Sequence, residues 1–409
     1  MKERSPVSAV FLTVFIDMLG VGIIIPVLPS LFLSPDTSIL PPETSHFDRS
    51  VLYGYLTAIY PAMQFFGAPI LGALSDRYGR KPMLQISLLG TLIGYLLFGW
   101  AIVTQNLPLL FISRALPGFT GGNISIVMSA LSDIATPENR TQYFGLIGMA
   151  FGLGFILGPA IGGVLSDNTV ISWFDHATPF WFTAGLTVLN MILVKVNFPE
   201  TNINRRHTAV GIWSGFKNLN KAFRSQNLRA IFGVSLFLSL GFSFFTQFFS
   251  VYMIQQFDAS EKQIGIVFGW VGIWLAITQG LTARKLATKY HPMQILRWSI
   301  FLLSISVLAT LAPQQLWMMY FVNPFIATFQ GLTAPNLTTM VSVQASAEEQ
   351  GEILGINQSM VSVGQFVPAI IAGYLNSMNG AYPIIAGALF IFIGWMIFMA
   401  LFKPAPKAA

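Results

Sequence analysis

The chain has 409 residues, of which 54% are hydrophobic and only 9% charged, with a formal net charge of +6. A soluble domain carries about 25% charged residues to face water, so this composition excludes an ordinary soluble globule and requires an apolar solvent. The absence of cysteine excludes disulfides, thiolate metal sites and cysteine nucleophiles. The basic residues sit in short loops between apolar runs, an arrangement that suits anionic lipid and not nucleic acid.

Lys2 and Arg4 precede an apolar run from about Val7 to Leu33. That run is too long for a secretory core segment and lacks a small-residue cleavage site, so it reads as a retained first membrane helix. A crossing needs about 20 mainly apolar residues. Further runs of that kind fall near 52–74, 83–104, 107–132, 142–165 and 179–198. A second set lies near 229–256, 263–283, 293–312, 315–341, 352–376 and 381–402. The expectation is an all-α membrane protein of 12 transmembrane helices in two six-helix bundles. The bundles span 1–198 and 229–409, joined by a linker over 199–228.

Cytoplasmic loops collect Lys and Arg. With both termini cytoplasmic, 19 of the 22 basic residues fall on that side, Arg49 and Lys262 lie outside, and Arg114 lies within a helix. Within the linker, Ile212, Trp213, Phe216, Leu219 and Phe223 recur at helical spacing, with Lys217, Lys221 and Arg224 on another face. This predicts an amphipathic helix on the inner leaflet, with an ordinary linker as the alternative. An internal repeat relates the halves: at an offset of 210, Pro82 matches Pro292, Gly121 matches Gly331, Glu138 matches Glu348 and Gly145 matches Gly355. Pro159-Ala160-Ile161 matches Pro368-Ala369-Ile370 after a one-residue slip. Two related bundles around a midplane site are a transporter design.

Four segments carry a family resemblance. Leu19-Gly20 is followed, after five residues, by Pro26-Val27-Leu28-Pro29. GALSDRYGRKP runs from Gly72 to Pro82. Arg114 is followed by Gly118, Gly121 and Gly122. GFILGPAIGG runs from Gly154 to Gly163. In this order the four resemble the major facilitator superfamily, and within it the twelve-helix drug:proton antiporter branch that includes the tetracycline exporters. The resemblance implies the major facilitator fold and proton-coupled efflux of small lipophilic or amphipathic compounds. It also implies a monomer in the cell (inner) membrane, with a small-molecule substrate and protons as its partners. A metabolite or siderophore exporter, or a proton symporter of the same fold, is the alternative.

No cofactor, metal site or enzyme chemistry is expected: His46, His176, His207 and His291 fall in separate predicted loops, without ligand spacing or a nucleophile–base pair. At the end of the second span, Asp76, Arg77, Arg80 and Lys81, with Gly72 and Gly79 of the same motif between and beside them, can form a charge network with Asp133. By resemblance this network latches one conformation. Gly79 permits a tight turn there. Gly154, Gly158, Pro159, Gly162 and Gly163 form the antiporter helix 5 motif, whose small-residue stripe lets a neighbouring helix approach closely. Asp17 is the only acid well inside a span, where a carboxylate costs several kcal/mol unless paired, hydrated or protonated. It is read either as the proton-coupling site or as a structural hydrogen-bonding acid. Arg114 must point into a cavity or pair, and the family links this arginine to proton transfer.

For the substrate cavity the candidates are Gln64, Asn123, Phe245, Gln247, Phe248, Tyr252, Gln279, Gln330 and Asn357, aromatic and amide side chains suited to a bulky amphipathic ligand. Gly94 stands where tetracycline exporters carry an acid, a departure that weighs against tetracycline as the substrate and leaves efflux untouched.

Overall fold

The computed structural model describes residues 6–33, 39–121, 123–134, 140–202, 213, 216–217, 220, 229–343 and 350–402. Among them the structure is helical and has no strand. In the first half of the chain the helices are α1 (Pro6–Leu33), α2 (His46–Tyr78), α3 (Arg80–Val103), α4 (Leu107–Thr120), α5 (Asn123–Ile134), α6 (Arg140–Leu165) and α7 (Thr178–Asn197). In the second half they are α8 (Arg229–Phe257), α9 (Glu261–Ile277), α10 (Ala283–Ala287), α11 (Pro292–Ala309), α12 (Met319–Val343), α13 (Gln350–Met378) and α14 (Tyr382–Leu401). A π-helical turn, Thr278–Thr282, joins α9 to α10. Among the described residues, 8 helical stretches are long and apolar enough to cross a membrane.

In hydrocarbon, every backbone polar group needs an internal partner, which leaves the helix as the form for these runs. Polar residues then mark the ends. Ser45 caps α2 by accepting from the Asp48 amide, and Asn106 caps α4 by accepting from Leu109. Ser260 and Gln263 form a reciprocal capping box on α9. Each satisfies amides that a helix start leaves free. At the other end of α1, the Arg49 guanidinium donates to the Phe32 carbonyl at 3.0 Å and to Pro41 at 2.8 Å, pinning the connecting loop.

Within the first half, α1 packs on α6 and α7, and α3 on α4 and α7; within the second, α8 packs on α14 and α11 on α12. The main contacts between the halves pair α2 with α13 and α6 with α9. One buried cluster, including Val14, Leu84, Ile126 and Val194, belongs to the first half. Another, including Phe232, Phe249, Ile300 and Ile391, belongs to the second. A third joins them, setting Leu31, Phe32, Phe98 and Phe180 with Phe244, Phe248 and Ala372.

That joint cluster lies towards the end that carries Arg49 and Lys262, the base-poor end. Polar bonds sew the halves together there. Tyr53 Oη donates to the Gln247 carbonyl at 2.7 Å, Asn376 Nδ2 to Ser50 Oγ at 3.0 Å, and the Tyr55 and Tyr374 hydroxyls meet at 2.8 Å. Of the expected amphipathic helix, Ile212, Leu219, Lys221, Phe223 and Arg224 lie outside the described residues. Phe216 packs its ring 5.2 Å from Phe65 and 5.6 Å from Trp213.

Candidate functional site

The run 107–132, read as one span, is broken. Helix α4 ends at Thr120 and α5 begins at Asn123. A break in an apolar setting strands carbonyls, and the structure supplies donors for them. Ser87 Oγ donates to the Thr120 carbonyl, and Gln64 Nε2 donates to the Gly121 carbonyl at 3.0 Å. Gln64, expected in the substrate cavity, is therefore committed to the break.

The break aims the start of α5 at α1. Asn123 Nδ2 donates to Asp17 Oδ1 at 2.9 Å, and the positive end of a helix dipole favours a carboxylate nearby. Asp17 also lines a small cavity of about 40 Å³ together with Tyr60, Thr91, Gly94, Tyr95, Ser113 and Arg114. That volume holds about one water. The Arg114 guanidinium carbon stands 4.9 Å from the centre of the Tyr60 ring, and its Nε is buried without a hydrogen bond. A cation over an aromatic face is stabilised by the ring's negative centre. Depth along the sequence sets Asp17 and Arg114 apart; the structure brings both to one cavity, with Tyr60 beside the arginine. Gly94 faces the same space, and a Cβ there would come 2.7 Å from Pro117 Cγ. The packing of α3 on α4 leaves no room for a longer side chain at this point.

A second cluster forms at the α2–α3 turn. Arg80 reaches Asp76 at 2.5 Å, the Asp133 carboxylate at 3.0 Å through Nε, and Ser75 Oγ at 2.6 Å. The expected network thus gathers Asp76, Arg80 and Asp133, joining α2, α3 and α5. Arg77 instead lies 5.2 Å from the Tyr78 ring centre. Lys81 contributes its backbone amide, which donates to Glu200 at 3.2 Å. Gly79 has φ +108° and ψ 154°, a conformation essentially confined to glycine. A Cβ on Gly72 would meet open space.

Sequence reasoning missed Glu200 and Asn202. Glu200 accepts from the Arg80 amide at 2.8 Å, capping the start of α3, while Asn202 Nδ2 donates to the Asp76 carbonyl at 2.8 Å, capping the end of α2. Thr201 Oγ1 adds a bond to Asp133 at 3.2 Å. The only signal available beforehand was an acid and an amide close together after the sixth apolar run.

Helix α6 is wedged between α1 and α9. A Cβ on Gly154 would come 2.6 Å from Met18 Cβ, and one on Gly158 would come 2.7 Å from Gly22 Cα. On Gly162 it would overlap the Ile23 carbonyl. These three face α1. Gly163 faces α9, where a Cβ on it would come 2.6 Å from the Glu261 carbonyl, and a Cβ on Gly265 of α9 would come 2.5 Å from the Pro159 carbonyl. The repeat reappears in space: a Cβ on Gly54 of α2 would lie 2.6 Å from the Ala369 carbonyl of α13. Each half thus offers a glycine to the Pro-Ala-Ile helix of the other.

The remaining candidates scatter. Phe245 and Tyr252 belong to the second-half core, and Phe248 to the joint cluster, where its ring meets Tyr53 at 5.1 Å. Gln247 Nε2 donates to the Gln365 carbonyl at 2.9 Å. Gln279 sits in the π-helical turn facing Gly152, Gln330 lies half-buried on α12, and Asn357 Oδ1 on α13 is buried without a partner. Tyr252 also borders a cavity of about 270 Å³ at the base-poor end, with Gln255 and Asn379.

The family model of the Major Facilitator Superfamily matches residues 10–308 and 231–409. The tetracycline resistance protein, class H, of Pasteurella multocida is 30% identical, over 93% of this chain and 91% of that one. Multidrug resistance protein 1 of Bacillus subtilis is 28% identical, over 99% of this chain and 98% of that one. Among solved structures, the human organic anion transporter MFSD10 (TETRAN) matches with a TM-score of 0.76 at 23% identity, covering 98% of this chain and 100% of that one. The D-xylose–proton symporter matches with a TM-score of 0.76 at 14% identity, covering 96% of each chain. At these identities the solved structures speak for the fold alone.

Proposed function

The chain belongs to the major facilitator superfamily, and on that premise we propose that it is a proton-coupled exporter of small lipophilic or amphipathic organic compounds. It is an integral, multi-pass membrane protein. In this reading twelve spans form two six-helix bundles, 1–198 and 229–409, tied by 199–228, with both termini and the base-rich end in the cytoplasm. The protein works as a monomer in the inner membrane of a bacterial cell, and its partners are substrate, protons and lipid.

The observation that carries the reading is Asp17 on the same small cavity as Arg114, held by Asn123 at a helix break. A lone acid at that depth is expensive and marks an ion path. Neutralising Asp17 weakens its hold on Asn123. The other end of the same helix holds Asp133, about 15 Å away at 1.5 Å per residue, in the Arg80 network. Helix α5 therefore links the proton site to the latch, so that uptake of a proton loosens the α2–α3 turn and lets the bundles rock. In this reading the seam bonded shut at the base-poor end belongs to the inward-facing member of an alternating pair. A membrane potential contributes about 2.3 kcal/mol per charge per 100 mV to uphill export.

The test is efflux of a compound panel from reconstituted vesicles, with and without a protonophore, for the wild type and Asp17→Asn. Export that collapses with the proton gradient, and that Asp17→Asn abolishes, supports the reading. Gradient-independent export, or undiminished coupled export by the variant, overturns it.

A further inference from the structure

A second titratable cluster lies at the base-poor seam, far along α1 from Asp17. Glu261 is the first residue of α9, and its Oε1 accepts from His176 Nε2 at 2.8 Å and from Ser30 Oγ. His176 comes from the loop between α6 and α7, and Ser30 from α1. The same seam places Lys262 Nζ 3.4 Å from Asp167. Gly163 lets the Glu261 backbone close on α6. Two first-half elements therefore grip one second-half carboxylate. Its side chain is only 12% exposed and that of His176 is 26% exposed, while Glu261 Oε2 is buried with no hydrogen bond.

We propose that His176 and Glu261 form a second proton site whose protonation holds the outer seam shut. The proposal rests on the alternating-access reading above. The charged groups facing the imidazole are Glu261 across the seam and Asp175 beside it, with the Lys262–Asp167 pair adjoining. Burial by itself lowers the His176 pKa, but the hydrogen bond to Glu261 and the charges of Glu261 and Asp175 outweigh it, and the net shift is upward. A histidine raised in the closed state stabilises closure fully below its ordinary range near 6.5, and loses that contribution as pH rises through the closed-state value. Hydrogen bonds from Thr169 hold the neighbouring Asp167 below the usual carboxylate range, so its charge is constant in this window. Acid outside the cell thus favours the inward-facing state, and opening the seam releases a proton outward.

The cysteine-free chain allows a direct measurement. Spin labels on N168C in the first half and Q256C in the second report seam separation in lipid discs, without substrate or proton gradient. From about pH 5 to about pH 9, the closed-to-open ratio of the otherwise wild-type chain should fall about threefold, the size a partly exposed ion pair sustains. His176→Arg should stay closed throughout, and His176→Gln should be flat and more open. Asp17→Asn should keep the fall with pH that His176 supplies. A flat wild-type profile, a His176→Gln profile that follows the wild type, or loss of the response in Asp17→Asn overturns the proposal. Because the distance is read without transport, its outcome is independent of whether export proves proton-coupled.

Discussion

Gly79 shows how a single residue fixes the geometry of the cluster at the α2–α3 turn. Its φ of +108° is open to glycine, and a Cβ would overlap the Glu200 carboxylate that caps α3. Gly79→Ala should lower stability by about 1–3 kcal/mol, read as a lower melting temperature in detergent. An unchanged melting temperature would refute the strain argument. At this scale Asp17, Arg114, Asp76, Arg80 and Asp133 were legible because a charge within or beside an apolar run stands out. Glu200 and Asn202 were not, since a polar pair in a loop looks ordinary until the turn that it caps is brought against it. Nor does the sequence show that Arg114 lies on Tyr60, which is 54 positions earlier in the numbering.

Among the elements, α6 and the broken α4–α5 pair carry the argument. The glycine stripe of α6 promised a close neighbour, and the structure identifies two: α1 against Gly154, Gly158 and Gly162, and α9 against Gly163. Gly162→Val should push α1 from α6 and cost about 1–3 kcal/mol, as overpacking does. Gly72→Ala, which meets open space, should stay within about 0.5 kcal/mol. Thermal unfolding of the pair checks the ranking, and the reverse order would sink the packing account. The break at Gly121 escaped a reading by hydropathy because the apolar run is continuous across it. What permits it is remote: Ser87 on α3 and Gln64 on α2 take the stranded carbonyls.

At the scale of the whole molecule, the state is set by the seam that ties Ser50, Tyr53 and Tyr55 to Asn376, Gln247 and Tyr374. If export requires that seam to open, the double variant S50C/N376C should lose transport on mild oxidation and regain it on reduction. Transport that survives complete cross-linking would exclude opening at this end. The sequence by itself determined the apolar solvent, the helical form, the family motifs and the isolated charges. These follow from local composition, and hydrocarbon leaves the backbone one economical way to satisfy itself. Only the tertiary structure decided which candidates meet. It set Asp17 and Arg114 around one cavity with Asn123 bonded to Asp17, drew Gln64 away to the helix break, and joined His176 to Glu261 across 85 positions of chain. Such contacts depend on how helices cross, and crossing is fixed by side chains on several helices at once, which no single stretch of sequence contains.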